Sequence, residues 1–303
     1  MHVLVTGASG YLGNVLIPRL EAAGHELRGF ARTPAKVRHD IPLVQGDAVA
    51  GTGLDEALDG IDVAYFLIHS MEGAAPGFDD LERRSAEHFA TAAQRAGLRR
   101  VVYLGGPVPT DKQASRHLAS RVAVEEILLG AAPEAVAFRA SMVIGQGSRS
   151  FRFLVRLVER TPLLPLPAWH SGLTQPIDER DVVAYFLAAT TSDAVRGPLS
   201  LDIPGPDVLS YGGMIERIRD IMLVHRPAVR LPFTLTPIAS KVAAAIAGED
   251  PGLIEPLMES LESTLLPRND DAQRIFPVRL HSFDAAVERA LRDWESVEAL
   301  AAR

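Results

Sequence analysis

Short apolar runs alternate with longer amphipathic stretches through the first two-thirds of the chain. His2–Thr6, Glu26–Ala31, Pro42–Gln45, Val63–Ile68, Val101–Leu104 and Ala135–Arg139 are nearly continuous in apolar residues, the pattern of strands buried on both faces. Between them, Tyr11–Ala23, Leu54–Leu58, Phe78–Ala96 and Gln113–Leu129 carry apolar positions at helical spacing. Gly24 and Gly97 stand where two of these helices should end. Strand-helix units repeated in this way predict an α/β fold of Rossmann type, a doubly wound parallel sheet.

After Arg139 the pattern loosens. Gly145 to Pro176 contains Thr161-Pro-Leu-Leu-Pro-Leu-Pro-Ala-Trp-His170, a proline-rich excursion with no expected regular element. Asp178–Ala189 reads as a helix and Leu199–Ile203 as a late strand. Pro204-Gly-Pro206 is the best boundary, dividing residues 1–204, a dinucleotide-type domain with a substrate-side excursion at 146–171, from residues 205–303. In the second part Tyr211–Leu223, Thr236–Ala247, Leu253–Leu265 and Phe283–Ala301 read as helices of a small, mostly helical substrate-side lobe, expected to control substrate access and not cofactor binding.

Composition narrows the function. With 31 Lys and Arg against 38 Asp and Glu, the net charge is −7, which disfavours a nucleic-acid partner. No apolar run is long enough to span a bilayer, and Met1-His-Val-Leu-Val5 leads straight into a strand pattern, so a cytoplasmic protein without a membrane partner is expected. Absent cysteine excludes disulfides, thiolate metal sites and thiol nucleophiles. No metal site is expected. Only Lys36, Lys112 and Lys241 are lysines, and Lys112 lies in Thr110-Asp-Lys, which reads as an exposed turn.

Chemistry concentrates in Thr6-Gly-Ala-Ser-Gly-Tyr-Leu-Gly13, between the first strand and first helix. Gly7 suits the tight turn, Gly10 lets backbone amides approach a pyrophosphate, and Gly13 permits close helix–strand packing. The second strand ends in Gly29-Phe-Ala-Arg-Thr33, without the acid that commonly bonds the ribose of NAD. Arg32, with Lys36 and Arg38 nearby, suits a 2′-phosphate, so NADP(H) is the expected cofactor. Gln45-Gly-Asp-Ala48 offers a carboxylate within reach of an adenine amino group.

These motifs, with Tyr65-Phe-Leu-Ile-His-Ser70, Tyr103-Leu-Gly-Gly106, Ser115–Arg121, Arg139–Gly147 and Gln175–Asp181, resemble the extended and atypical short-chain dehydrogenase/reductases, NmrA-like members in particular. The resemblance covers about residues 1–204. It implies cofactor contacts at Thr6, Gly7, Ser9, Gly10, Tyr11, Leu12, Gly13, Arg32, Gly46, Asp47, Ala48, Leu67, His69 and Gly105. Most active members carry a Ser at the end of the fifth strand and Tyr-x-x-x-Lys on the next helix. Here Gly105-Gly106 and the pair His117/Arg121 occupy those places, while Tyr103 is expected to be packed in its strand.

His117 is the candidate proton donor, with Arg121 one turn later and His69 near the nicotinamide pocket. A helix-surface role for His117 and Arg121, and a turn role for His69, stand beside that reading. Trp169, His170, Phe151 and Met142 suit either an aromatic lid or core packing. Asp178, Glu179 and Asp181 suit helix capping better than metal binding. The expected activity is reduction of a carbonyl, quinone or activated alkene on a small apolar molecule. The alternative is an NADP(H)-binding sensor or assembly protein without turnover, and a sugar-nucleotide epimerase is disfavoured by the missing tyrosine. Oligomeric state is left open, a homodimer included.

Overall fold

A computed structural model describes residues 1–69, 77–109, 114–231 and 263–300. The expected helix Thr236–Ala247, most of Leu253–Leu265, Ser70 and Lys112 lie outside these residues. The chain opens β1(His2–Thr6) α1(Tyr11–Ala22) β2(Glu26–Ala31) β3(Leu43–Gln45) α2(Leu54–Leu58) β4(Val63–Phe66) α3(Phe78–Arg95) β5(Arg100–Gly105) α4(Arg116–Leu129) β6(Glu134–Arg139). There follow β7(Val143–Ile144), α5(Arg149–Arg160), β8(Leu164–Leu166), β9(Leu173–Thr174), β10(Ile177–Asp178), α6(Glu179–Thr191), β11(Pro198–Asp202), β12(Leu209–Ser210), α7(Tyr211–Ile221), β13(Ala228–Arg230), α8(Asp271–Ile275) and α9(Phe283–Glu295).

Seven strands form one sheet in the order β11-β6-β5-β4-β1-β2-β3, and every neighbouring pair is parallel. Side chains alternate across it as strand geometry requires. Val3, Val5, Val63 and Tyr65 pack beneath α1 and α6, whereas Leu4, Ala64 and Phe66 pack beneath α2, α3 and α4. The proline inside α1 has a local remedy. Pro18 has no N–H to give the carbonyl of Asn14 four residues earlier, and the His39 ring Nε2 bonds that oxygen at 3.0 Å instead.

The stretch after Gly145 departs from the sequence expectation. Arg149–Arg160 is an α-helix, capped by Ser148, because the first proline comes only at position 162 and Phe151, Leu154, Val155 and Val158 align on one face. Helices α5, α7 and α9 share a second core with Trp169, Tyr211 and Trp294. This lobe also holds short strand pairs, β8 with β13 and β9 with β12. Leu265 bridges to Thr174 instead of ending a helix, since its N–H donates to Leu173 O at 2.8 Å. Among the described residues, no helix is long and apolar enough to cross a membrane.

Candidate functional site

Strand β1 delivers the glycine loop to the carboxyl edge of the sheet, between β2 and β4. The Thr6 hydroxyl donates to Tyr65 O at 2.9 Å and accepts from Leu67 N at 3.1 Å, so the loop is pinned to the end of β4. Gly7 turns with φ +66°, and a Cβ there would stand 2.8 Å from Leu67 O. A Cβ on Gly13 would stand 2.6 Å from Gly7 O. Gly10 caps α1 without a side chain, and the first-turn amides of Tyr11, Leu12 and Gly13 have no intrahelical acceptor. Asn14, which the sequence reading passed over, braces the loop by donating to Ser9 O at 3.1 Å and Gly10 O at 2.8 Å.

The ends of β2 and β3 lie beside this loop. Gly46 N donates to Ala31 O at 3.2 Å, and Gln45 Nε2 donates to Arg32 O at 3.2 Å. The Arg32 side chain is exposed and has no ion-pair partner among the described residues. Asp47 is engaged in its own turn, with Oδ1 accepting from Val49 N at 2.8 Å and Ala50 N at 3.4 Å. Gly46 has no room for a side chain against Thr52 O and the Phe30 ring, and Ala48 O is bonded by the His88 ring at 3.1 Å. Tyr11 contributes its backbone to the loop, but its phenol turns inward and donates to Glu179. The cradle fits a dinucleotide: close-packed glycines, uncapped amides for the phosphates, and an exposed Arg with no acid at the end of β2.

At the ends of β4 and β5 a second group assembles around Glu82 of α3, a residue the sequence reading did not single out. Its carboxylate is 3% exposed, lies 2.6 Å from His69 Nδ1 and accepts from the Ser120 hydroxyl at 2.7 Å, with Arg121 Nη1 at 3.5 Å. Burial opposes its ionisation, yet the His69 hydrogen bond and the Arg121 charge hold its pKa down at about 2. The same Nδ1 of His69 also faces Arg121 Nη1 at 3.1 Å, so an acceptor and a donor converge on one ring nitrogen and the tautomer follows from which of them it bonds. Burial, followed by the Arg121 charge, lowers the His69 pKa, so the ring is neutral at pH 7.

His117 sits 5.8 Å from His69 between ring centroids. Its Nδ1 is buried with no partner among the described residues, and burial pushes its pKa down to about 3, helped by His69 and Arg121. Arg121 turns into the protein. It is 12% exposed, bonds Leu104 O and stacks over the Tyr103 ring at 4.9 Å. Tyr103 itself is packed, as expected. Gly105 closes β5 at the same edge. Beside it a Cβ on Gly106 would stand 3.0 Å from Leu118 Cδ2, a contact that a small shift of that side chain relieves.

The structure therefore gathers Thr6–Gly13, Arg32, Gly46–Ala48, Leu67, His69, Gly105, His117 and Arg121 along one edge of the sheet. Trp169 and Phe151 lie in the second core, with Met142 packed against it and His170 bonding Pro167 O at 2.9 Å. Asp178 caps α6 by accepting from Arg180 N at 2.8 Å. The signal that could have exposed Glu82 was its place on the apolar face of α3, where a charged residue needs partners.

Residues 7–136 match the NAD(P)H-binding family. Over 251 residues the chain is 28% identical to subunit 9 of the alpha subcomplex of mitochondrial NADH dehydrogenase (ubiquinone) 1 from Arabidopsis thaliana, covering 79% of this chain and 62% of that protein. It thus spans less than two thirds of the plant subunit. It is 26% identical over 235 residues to a ceramide reductase from Caulobacter vibrioides, covering 76% of this chain and 73% of that one. In fold it is similar to UDP-glucuronic acid 4-epimerase from Bacillus cereus in complex with UDP-glucuronic acid and NAD, with a TM-score of 0.73 and 16% identity over 98% of this chain and 100% of that one. Residues 7–136 are thus similar to the NAD(P)H-binding family, and the parallel sheet that carries them is of Rossmann type.

Proposed function

We propose that the protein is an NADP(H)-dependent reductase acting on a carbonyl, quinone or activated alkene of a small apolar molecule. One observation carries this reading: the buried Glu82 holds His69 and Arg121, with the His117 ring 5.8 Å from that of His69, at the strand ends that adjoin the phosphate cradle. In this reading the reduced nicotinamide, when bound, supplies the hydride. The amides of Tyr11, Leu12 and Gly13 hold the pyrophosphate, and Arg32 takes the 2′-phosphate.

Reduction of a carbonyl builds negative charge on its oxygen, which needs a donor within hydrogen-bond reach. His117 is neutral, retains one N–H, and has a ring nitrogen that no described protein group satisfies. It gives its N–H proton to the oxygen and is left as the imidazolate, which recovers a proton from water, while His69 lines the site 5.8 Å away between ring centroids. Arg121 supplies positive potential without contacting the oxygen. The ceramide reductase likeness supports an apolar substrate.

A charge-assisted contact from Arg32 is worth about 1.5–3 kcal/mol, or roughly ten- to hundredfold in affinity. NADPH is therefore expected to bind that much more tightly than NADH in fluorescence titrations, and Arg32→Ala to erase most of the difference. In assays of NADPH oxidation with a panel of apolar aldehydes, ketones and quinones, His117→Ala is expected to lose about 10²–10⁴ in rate while binding NADPH normally. Near-normal turnover would remove His117 from the chemistry. The second reading, a cofactor-binding assembly protein, draws on the Arg121 guanidinium being tied to Leu104 O and Glu82, and on the respiratory-complex subunit among the relatives. Tight NADPH binding with no turnover of any acceptor would favour it.

A further inference from the structure

Tyr11 is the first residue of α1, so its amide heads the helix that faces the phosphates. Its ring lies in a slot opened by two glycines. A methyl on Gly147 would overlap the ring carbons, and a methyl on Gly145 would fall on the Tyr11–Glu179 hydrogen bond itself. Burial, then the neighbouring Glu179 charge, raises the phenol pKa well above its usual value, so the hydroxyl stays a donor. The other oxygen of Glu179 accepts from Arg289 Nη1 at 2.9 Å. Arg289 in turn bonds Asp293 Oδ2 at 2.7 Å and Asp178 Oδ1 at 3.3 Å.

This chain of contacts joins three elements that are far apart in sequence. Glu179 opens α6, and Arg289 belongs to α9, whose Phe283, Val287, Leu291 and Trp294 are set in the second core. Both charges are largely buried, so neither can swing into water without losing its partners. The position of the Tyr11 amide is thereby referred to the C-terminal lobe as well as to the sheet.

We infer that Glu179 and Arg289 are positioning residues for the dinucleotide, setting the start of α1 through Tyr11 so that cofactor binding and the C-terminal lobe are coupled. The inference rests on the reading of the glycine loop as a dinucleotide cradle. It also departs from the expectation that the lobe serves substrate alone. Neither residue touches the cofactor, and coupling of this kind acts equally in both directions.

The test uses Tyr11→Phe, which removes one oxygen, with Arg289→Met and Arg292→Met as a second variant and a control on the exposed side of α9. NADPH and NADH are titrated by fluorescence, and amide exchange over Phe283–Glu295 is followed with and without NADPH. Tyr11→Phe and Arg289→Met should each weaken both cofactors by about tenfold, by the same factor because the pyrophosphate is common to the two. Arg292→Met should stay within about twofold of the parent protein. NADPH should slow exchange in α9 of the parent protein but not of Tyr11→Phe.

Unchanged affinity in folded Tyr11→Phe, or no α9 protection in the parent protein, overturns the coupling while leaving the cradle intact. Should Arg289→Met fail to fold, Tyr11→Phe decides alone. If the parent protein binds neither nucleotide, the cradle reading falls first and the coupling with it.

Discussion

Glu82 and His117 are displaced from their ordinary ionisation in the same direction, and the consequence for acid stability has a definite sign. Unfolded, a histidine takes up a proton near pH 6.5, whereas folded His117 resists protonation until about pH 3. Its contribution is fully present above pH 6.5 and drains away as the pH falls toward 3. Glu82, held near 2, contributes above the unfolded carboxyl value and loses that contribution only below about pH 4.5. Between pH 6.5 and 5 the histidines dominate, at a slope of up to about 1.4 kcal/mol per pH unit for each. His117→Phe should therefore flatten the fall of urea-unfolding stability across that interval. An unchanged slope would mean that His117 is protonated in the folded protein. That Glu82 would join this cluster was not legible in the sequence, because thirteen positions separate it from His69 and thirty-eight from Ser120.

Among the elements, β5 shows how a strand reaches beyond its own ladder. Arg100, 1% exposed, starts this strand with Glu134 of β6 as its ion pair, at 2.6 Å. Its guanidinium donates to the carbonyls of Ala189, Thr190 and Ser192, at 2.5, 2.9 and 3.0 Å. These are among the terminal carbonyls of α6 that a helix cannot satisfy for itself. Arg100→Met would leave the three oxygens unpaired, while Glu134 keeps Arg99 at 3.0 Å, at a cost of about 1–3 kcal/mol. Chemical denaturation should show that loss; less than about 1 kcal/mol would mean water replaces the arginine easily. By contrast, β5 as a strand could be read directly from its run of apolar residues, and so could α1, α3 and α6. Helix α5 was missed because prolines beyond position 161 coloured the reading of the residues before them.

At the scale of the molecule, the cores on the two faces of the sheet share the load with the second core under α5, α7 and α9. Both tryptophans, Trp169 and Trp294, belong to that second core, whereas most of the strands and large helices surround those of the sheet. Tryptophan fluorescence thus reports the lobe and far-UV dichroism reports chiefly the sheet domain. Contacts of α9 with β7 and β10, and the Arg289 network with Asp178 and Glu179, tie the two together. Thermal transitions followed by the two probes should coincide in the parent protein. They should separate in Arg289→Met, with fluorescence changing first. Separate transitions in the parent protein would show that the lobe unfolds on its own.

Local periodicity and turn chemistry determined the parallel sheet, its flanking helices and the glycine cradle, because each depends on residues adjacent in sequence and on a period of about two or 3.6. The absence of an acid after Arg32, and His117/Arg121 standing where Tyr and Lys are common, were likewise written in the chain. Only tertiary structure decided which side chains those positions meet. It turned Arg121 inward to Leu104 O, set Gly106 beside Leu118, buried Glu82 beside His69, and linked Tyr11 to Arg289 across 278 positions through Glu179. Desolvation and charge pairing depend on distance in space, and the order of residues along a chain does not record it.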